Sequence, residues 1–197
     1  MESKIEIEKQ KVKELYKTLT EVSNPSRDKI ESEMKKCFGE DIFKFSPVER
    51  IKTFEDAKNE LGMQHPFVKS YCGYMSNIHD EGFNDSDLIA FLKLRIIVAA
   101  LNEGWEPQFT EGERRYYPWI FLYTQNEIKD MDMDERKERN LHISKIGDFA
   151  GFAFADSAYA PSITYAGIGS RLCLKNSELA TYCGKQFITL WKDFGFK

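Results

Sequence analysis

Residues 88–103 are the segment that most constrains the fold, because apolar side chains surround almost the whole of the helix that they predict. Asp85, Ser86 and Asp87 are typical of a helix start, and Gly104 is typical of a helix end. The apolar residues at helical spacing are Leu88, Ile89, Phe91, Leu92, Ile96, Ala99, Ala100 and Leu101. A helix with so little polar surface has to be covered on most sides, so this one is predicted to lie at the centre of a core.

The overall composition is that of a globular protein. Of the 197 residues, 42% are hydrophobic and 30% are charged, which excludes a disordered tail, a collagen-like repeat and a coiled-coil rod. The longest apolar run, residues 88–101, contains Lys93 and Arg95, so no membrane span is predicted. From the length we expect residues 1–40 to form an N-terminal helical hairpin extension and residues 41–197 to form a single α+β domain.

The first residues of the chain predict the two helices of that hairpin. Residues 4–22 carry apolar side chains at helical spacing among Lys and Glu, and the Asn-Pro-Ser sequence at 24–26 stops the helix. A second amphipathic helix is expected over residues 27–37, with one apolar side formed by Ile30, Met34 and Cys37. The hairpin either packs on the core as an appendage or, through residues 4–37, serves as an arm for a protein partner or for self-association.

Three further helices are predicted after the hairpin. Residues 53–56 resemble a helix start and predict a short helix over residues 54–61. Residues 66–78 carry apolar side chains at helical spacing and begin with a proline, which the first turn of a helix tolerates. Residues 177–194 carry one continuous apolar stripe and predict the last helix of the chain.

The C-terminal half also contains strand-like patterns. Residues 114–124 are rich in β-forming side chains, and Pro118 indicates an edge strand or a bulge. Phe152 and Phe154 would share one face of a second strand, and residues 170–174 resemble one more. The sequence therefore predicts an α+β fold, in which a helical N-terminal half precedes a small aromatic-rich antiparallel sheet covered by a C-terminal helix.

Charge and cysteine usage bear on partners and location. The formal net charge is −4, which weighs against a general nucleic-acid coat, because such a coat needs many cations. The four cysteines are scattered without a C-x-x-C pair, and the first residues lack the apolar core of a signal peptide. We therefore expect free thiols in a reducing compartment, and a cytoplasmic or virion-associated location.

Several motifs that carry chemistry are incomplete in this chain. The alternating carboxylates of residues 130–134 begin like a calcium loop, but Glu135 and Leu141 occupy the positions where such a loop needs Gly and Glu. The three histidines lack metal-ligand spacing, and Cys72 and Cys183 lie at helical core spacing. No catalytic residue, metal site or cofactor is therefore assigned.

A glycine-containing stretch at residues 167–171 has two readings. Its two glycines have the spacing that begins a dinucleotide loop, but Leu172 stands where the third glycine would be. The stretch is then either a tight turn that enters a strand, or a backbone anion nest with Arg171 as its cation.

The most informative polar stretch runs from Arg114 to Trp119. Two guanidinium groups beside three aromatic rings can stack on and neutralise a single-stranded nucleic acid. Alternation along a strand places the odd-numbered residues on one face and the even-numbered residues on the other. Only one of these sets can point outward if the sheet is covered on its other side.

The alternative for this stretch is structural: the rings lie in the core and the arginines pair with nearby acids such as Glu111 and Glu113. The ligand-binding residues predicted from this stretch and from the glycine-containing one are Arg114, Arg115, Tyr117, Trp119 and Arg171.

A resemblance extends over about residues 48–60 and 86–194. The phrases that carry it are Lys52 to Ala57, Leu94 to Trp105, Tyr116 to Trp119, Gly169 to Lys175 and Glu178 to Phe187. In these the chain resembles an uncharacterised protein family encoded by gut Bacteroidales and their phages and prophages. That family has no established activity, so no catalytic residues carry over. The resemblance implies a mobile-element context, and with it DNA handling or virion assembly.

Three functions are compatible with these patterns. The leading hypothesis is a non-enzymatic binding or assembly protein whose recognition surface lies around residues 105–123 and 149–171. The second is a single-stranded nucleic-acid-binding accessory protein. The third is a hydrolase whose site combines the dispersed carboxylates Glu113, Asp148 and Asp156 with Arg171 as the electrophilic partner, which requires that these side chains converge.

Overall fold

The computed structural model describes Lys11, Val12, Glu14 and residues 27–39, 45–78, 85–108, 110–161 and 170–196. Its contacts divide the chain into two compact units, Met1–Ser46 and Pro47–Lys197. Among the described residues, no helix is both long and apolar enough to cross a membrane.

Helix α1 (Arg27–Phe38) is the main described element of the first unit. Val12 is buried in a small cluster with two residues of α1, Ile30 and Met34. Cys37, which the sequence places on the same side of α1 as these two residues, is exposed. Apart from three residues, the predicted helix over residues 4–22, with its proposed partner arm, lies outside the described residues.

The second unit begins with four helices. They are α2 (Pro47–Arg50), α3 (Phe54–Leu61), α4 (Pro66–Ile78) and α5 (Ser86–Asn102). The start of α3 is a capping box, in which the Thr53 side chain accepts from the Asp56 backbone and the Asp56 side chain accepts from the Thr53 backbone. The helix ends at Gly62, whose φ of 77° lies in the left-handed region that favours glycine.

Helix α5 is the centre of the core, as its sequence predicted. Its fully buried side chains include Leu94, Ile96, Ile97 and Leu101. Side chains from α3, α4 and the C-terminal helices join the same apolar cluster. Burial of each large aliphatic side chain contributes about 2 kcal/mol, so this helix carries a large share of the stability of the unit.

The sheet has three antiparallel strands in the order β1-β3-β2. The strands are β1 (Arg114–Thr124), β2 (His142–Ile146) and β3 (Phe149–Pro161), and two short helices, α6 (Gln125–Asp130) and α7 (Met133–Glu138), connect β1 to β2. Strand β1 is an edge strand, which accommodates Pro118 as expected. A register shift lies directly after Trp119.

One face of the sheet packs against helix α8 (Ser177–Gln186), and we call it the covered face. A Cβ atom added at Gly184 of α8 would lie 2.5 Å from the Phe154 ring and 2.7 Å from Pro118. Only glycine therefore allows α8 to approach the sheet this closely. On the opposite face, the open face, Ile128 of α6 covers one end and Trp119 is exposed.

Two expectations about the C-terminal region are wrong. Residues 177–194 form two helices, α8 and α9 (Ile188–Gly195), because the backbone breaks at Phe187 with φ of −115° and ψ of 28°. Helix α8 covers the sheet, whereas α9 packs on α5. Residues 170–174 form a 3-10 turn, Ser170–Leu172, and a single bridge between Leu174 and Tyr116 in place of the predicted strand.

Candidate functional site

The structure splits the polar stretch of β1 that the sequence singled out. Arg115 is fully buried and Tyr117 is 8% exposed, so their prediction as ligand contacts is corrected: both side chains belong to the interior. Arg114 and Trp119 are exposed, and the Trp119 side chain is 55% accessible. The alternation of faces was correct, but burial varies along each face because α6 and the chain around Cys173 cover only parts of the sheet.

The two exposed members of this stretch lie on opposite faces. Arg114 has its guanidinium carbon 4.8 Å from the centroid of the Tyr159 ring, which is on the same face. Trp119 pairs with Asp156 on the open face. A single flat ligand on one face therefore cannot contact Arg114 and Trp119 together.

The three carboxylates proposed for a hydrolase do not share one site. Glu113 precedes the start of β1, and its two oxygens accept from the backbone N–H of Gln108 at 2.9 and 3.1 Å. Asp148 lies in the turn before β3, and the start of β3 pairs with the end of β1. Because β1 spans roughly 35 Å, Asp148 is far from Glu113, which lies at the start of β1. Asp156 lies between them on β3, and its side chain accepts from the Ser157 N–H at 2.7 Å.

Arg171 lies in a different place, a cleft beside α5. The cleft has a volume of about 600 Å³ and is formed by the start of α4, the last turns of α5, the loop that follows α5 and the 3-10 turn. We call it the arginine cleft, because two arginines line it, Arg95 and Arg171. All of its described lining residues belong to the second unit.

Arg95 is one of the two cationic side chains of helix α5, and Lys93 is the other. Its guanidinium carbon lies 3.9 Å from the centroid of the Phe67 ring, a stacked cation–π contact. Its buried Nε has no hydrogen-bond partner among the described residues. Burial lowers the pKa of Arg95, and the positive charge of Arg171 lowers it further. The cleft thus holds two cations whose charges repel each other.

Hydrogen bonds of Asn102 hold the wall that carries Arg171. The Asn102 Nδ2 donates to the Cys173 carbonyl at 2.9 Å, and its Oδ1 accepts from the Lys175 N–H at 3.1 Å. Asn102 is buried at the end of α5, so these bonds tie the residues after the 3-10 turn to the central helix. The position of Arg171 relative to Arg95 therefore depends on Asn102.

The remaining polar lining includes a histidine and one acid. The His65 Nδ1 accepts from the Phe67 backbone N–H at 3.2 Å, so Nε2 carries the proton of the neutral ring and can donate. Glu106 also lines the cleft and forms no ion pair with either arginine in the described part of the chain.

The cysteine of the cleft is not a nucleophile at neutral pH. Burial raises the pKa of the Cys173 thiol to about 11, against a partial opposing effect of the Arg115 charge. Burial likewise raises the pKa of the Cys183 thiol to about 12. Both side chains are therefore protonated thiols near pH 7, and neither supplies the thiolate that covalent catalysis requires.

A second groove of about 570 Å³ is lined by residues of β1, α7, β3 and α8, and its two acids, Glu135 and Glu138, balance the charges of Arg139 and Lys185. Arg139 lines it and binds Glu135 at 2.8 Å, and also donates to the Tyr123 hydroxyl at 3.0 Å. Lys185, also in the lining, lies 5.5 Å from the centroid of the Phe154 ring. This groove lacks the uncompensated positive charge of the arginine cleft.

No protein-family model, curated protein or solved structure matches this chain. The function is therefore inferred from the geometry of the cleft.

Sequence reasoning singled out Arg171 but missed Arg95 and Trp105 as members of the same site. Arg95 was treated only as an interruption of an apolar run. An arginine on a helix that is apolar on almost every side was the available signal, because a buried guanidinium needs a compensating contact. Residues 167–169 of the predicted turn before Arg171 lie outside the described residues.

Proposed function

We propose that the chain is a non-enzymatic binding protein that holds a small anionic ligand in the arginine cleft. The observation that carries this proposal is the pair of guanidiniums, Arg95 and Arg171, in one cleft without an acidic partner among the described residues. An anion between them would compensate both charges.

Arginine suits this task better than lysine would. Its planar guanidinium offers several N–H donors in a fixed geometry, which fits the paired oxygens of a phosphate or carboxylate. The Phe67 ring holds the Arg95 guanidinium in place, so little side-chain entropy is lost when a ligand binds. The Nε2–H of His65 is a further donor toward the cleft.

The other groups of the cleft support binding more than bond cleavage. The amide of Asn102 is already bonded through both its nitrogen and its oxygen. The Cys173 thiol is protonated at neutral pH. These are groups that shape and charge a site, and they leave ligand recognition as the function that the cleft supports best.

The proposal is tested by titrating inorganic phosphate and pyrophosphate into the protein by calorimetry at low salt. Arg171→Ala removes one exposed arginine of the cleft, and Arg114→Ala removes one exposed arginine outside it as the matched control. We expect Arg171→Ala to bind at least about tenfold more weakly than the wild type, because charge-assisted hydrogen bonds are lost. Arg114→Ala should bind like the wild type. Equal binding by Arg171→Ala, or no saturable anion binding by the wild type, would overturn the proposal.

A second candidate function is binding of single-stranded nucleic acid on the sheet. Arg114 stacks on Tyr159, whose ring is 55% exposed, and this exposed pair favours contact with a phosphate and a base. Such a function would fit the DNA handling in a mobile-element context that the resemblance implies, in a cytoplasmic or virion-associated setting. The chain would then act as an accessory protein that binds single-stranded nucleic acid at the exposed end of the covered face, where Arg114 and Tyr159 lie.

This second candidate predicts an affinity for single strands that falls steeply with salt. Arg114→Ala and Tyr159→Ala should each weaken it, whereas Arg171→Ala should not. Trp119→Ala reports on the opposite face and separates the two surfaces of the sheet. An affinity that is insensitive to salt, or absent, would remove this candidate.

A further inference from the structure

The arginine cleft has an aromatic ring without a stacking partner. Trp105 lines the cleft and is half-buried, and among the described residues its indole stacks on no other ring. The Phe67 ring, by contrast, already carries the Arg95 guanidinium on one face. Trp105 is therefore the ring that a flat ligand group can use.

The backbone places Trp105 in the cleft lining. Helix α5 ends at Asn102, and the next two residues, Glu103 and Gly104, have φ of 50° and 82° and lie in the left-handed region. This reversal is closed by the Trp105 N–H, which donates to the Asn102 carbonyl at 3.0 Å. Trp105 thus lies three residues after Asn102, whose side chain also fixes the chain that carries Arg171.

We infer that the ligand of the arginine cleft is a nucleoside phosphate, with its phosphate bound by Arg95 and Arg171 and its base against Trp105. This inference rests on the proposed function. A cleft of about 600 Å³ is much larger than an inorganic anion needs and lies within the range of small-molecule sites. Cations, an unpartnered indole and the carboxylate of Glu106 together match the phosphate, the base and the hydroxyl groups of one ligand.

The test compares inorganic phosphate, a nucleoside and the corresponding nucleoside monophosphate, by calorimetry and by quenching of tryptophan fluorescence. We expect the monophosphate to bind about tenfold more tightly than inorganic phosphate, because stacking on an aromatic ring adds to the affinity. The nucleoside should bind at least tenfold more weakly than the monophosphate, because it lacks the charge that the arginines bind.

Two tryptophan variants are matched to this test. Trp105→Ala should reduce the affinity for the monophosphate to that for inorganic phosphate, while the affinity for inorganic phosphate stays unchanged. Trp119→Ala removes an exposed tryptophan outside the cleft and should change neither affinity. Fluorescence quenching by the monophosphate should persist in Trp119→Ala and be lost in Trp105→Ala.

The outcomes distinguish the two proposals. If inorganic phosphate binds as tightly as the monophosphate, or if Trp105→Ala binds both as the wild type does, the nucleoside phosphate is wrong and the anion site stands. If no phosphate compound binds, both proposals fail. A single strand with a 5′-phosphate and the same strand without it are then tested as competitors of the monophosphate. If only the phosphorylated strand competes, the inference is supported and the bound nucleotide is the end of a strand. If neither strand competes, the inference is also supported, and the ligand is a free nucleotide.

Discussion

Two pairs of arginines in this protein differ in how their separation along the chain relates to their positions in the structure. Arg114 and Arg115 are neighbours in the chain, but one is exposed and the other fully buried. Arg95 and Arg171 are far apart in the chain, but they line one cleft, and the charge of Arg171 lowers the pKa of Arg95. Adjacent residues of a strand point to opposite faces, whereas packing of remote segments decides which charges meet.

The largest expected effect concerns the neighbouring pair. Arg115→Ala should lower the free energy of unfolding by about 3 kcal/mol, because the variant loses a long, fully buried side chain and leaves a cavity. Arg114→Ala, at an exposed position, should change it by less than about 0.5 kcal/mol. Urea denaturation of the two variants measures the difference. Similar values for both would mean that the strand does not separate the pair as the structure shows.

The second prediction concerns the link that holds the remote pair together. Asn102→Ala should lower the free energy of unfolding by about 2 kcal/mol, because the Cys173 carbonyl and the Lys175 N–H lose their side-chain partner in a partly buried place. It should also weaken phosphate binding, because the chain that carries Arg171 loses the hydrogen bonds that hold it. Asn126→Ala, at an exposed position of α6, is the control and should leave both properties unchanged. Weakened stability with unaltered phosphate binding would show that Asn102 does not position Arg171.

The smallest expected effect is a fall in the free energy of unfolding at alkaline pH. It involves the thiol of Cys173, which is associated with both pairs of arginines. Cys173 lines the arginine cleft, and the charge of Arg115 acts on it. Burial raises the pKa of Cys173 to about 11 and that of Cys183 to about 12, above the ordinary thiol value of 9.0. The folded protein therefore keeps protons that the unfolded chain loses, and the free energy of unfolding should fall as pH rises above about 9.

At about pH 10 the loss should be on the order of 1 kcal/mol for the fully buried Cys183. Below the ordinary thiol pKa these groups cause no loss of stability, because the thiols are protonated in both the folded and the unfolded protein. Denaturant titrations at several pH values, on the wild type and on Cys173→Ala/Cys183→Ala, measure the effect. The double variant should show a shallower decline with pH; an unchanged decline would assign the loss to other groups, such as the buried Tyr117.

Much of the fold could be predicted from local patterns. The periodicity of α5, the capping box of α3 and the β-forming stretch of β1 each correspond to an element of the structure. The end of the chain was harder to predict. One apolar stripe over residues 177–194 could not show the break at Phe187, because both helices bury the same stripe, one against the sheet and the other against α5.

The candidate site was less predictable than the fold. Arg171 was predicted as a cation for a ligand, but its partner Arg95 lies on another element, and Trp105 lay in the predicted recognition region without a role of its own. Arg115 and Tyr117 were predicted as ligand contacts from residue type and from the alternation of side chains along a strand. Residue type does not report burial, and both side chains lie in the interior.

The amino-acid sequence by itself determined most of the helices, strand β1 and which helix occupies the core, because backbone propensity, capping and hydrophobic periodicity act over a few neighbouring residues. Only the tertiary structure decided which arginine is buried, which face of the sheet stays open and which two guanidiniums share a cleft. Those outcomes depend on contacts between segments remote in the chain, above all the approach of α8 at Gly184 and the hydrogen bonds of Asn102 to the chain beyond Arg171.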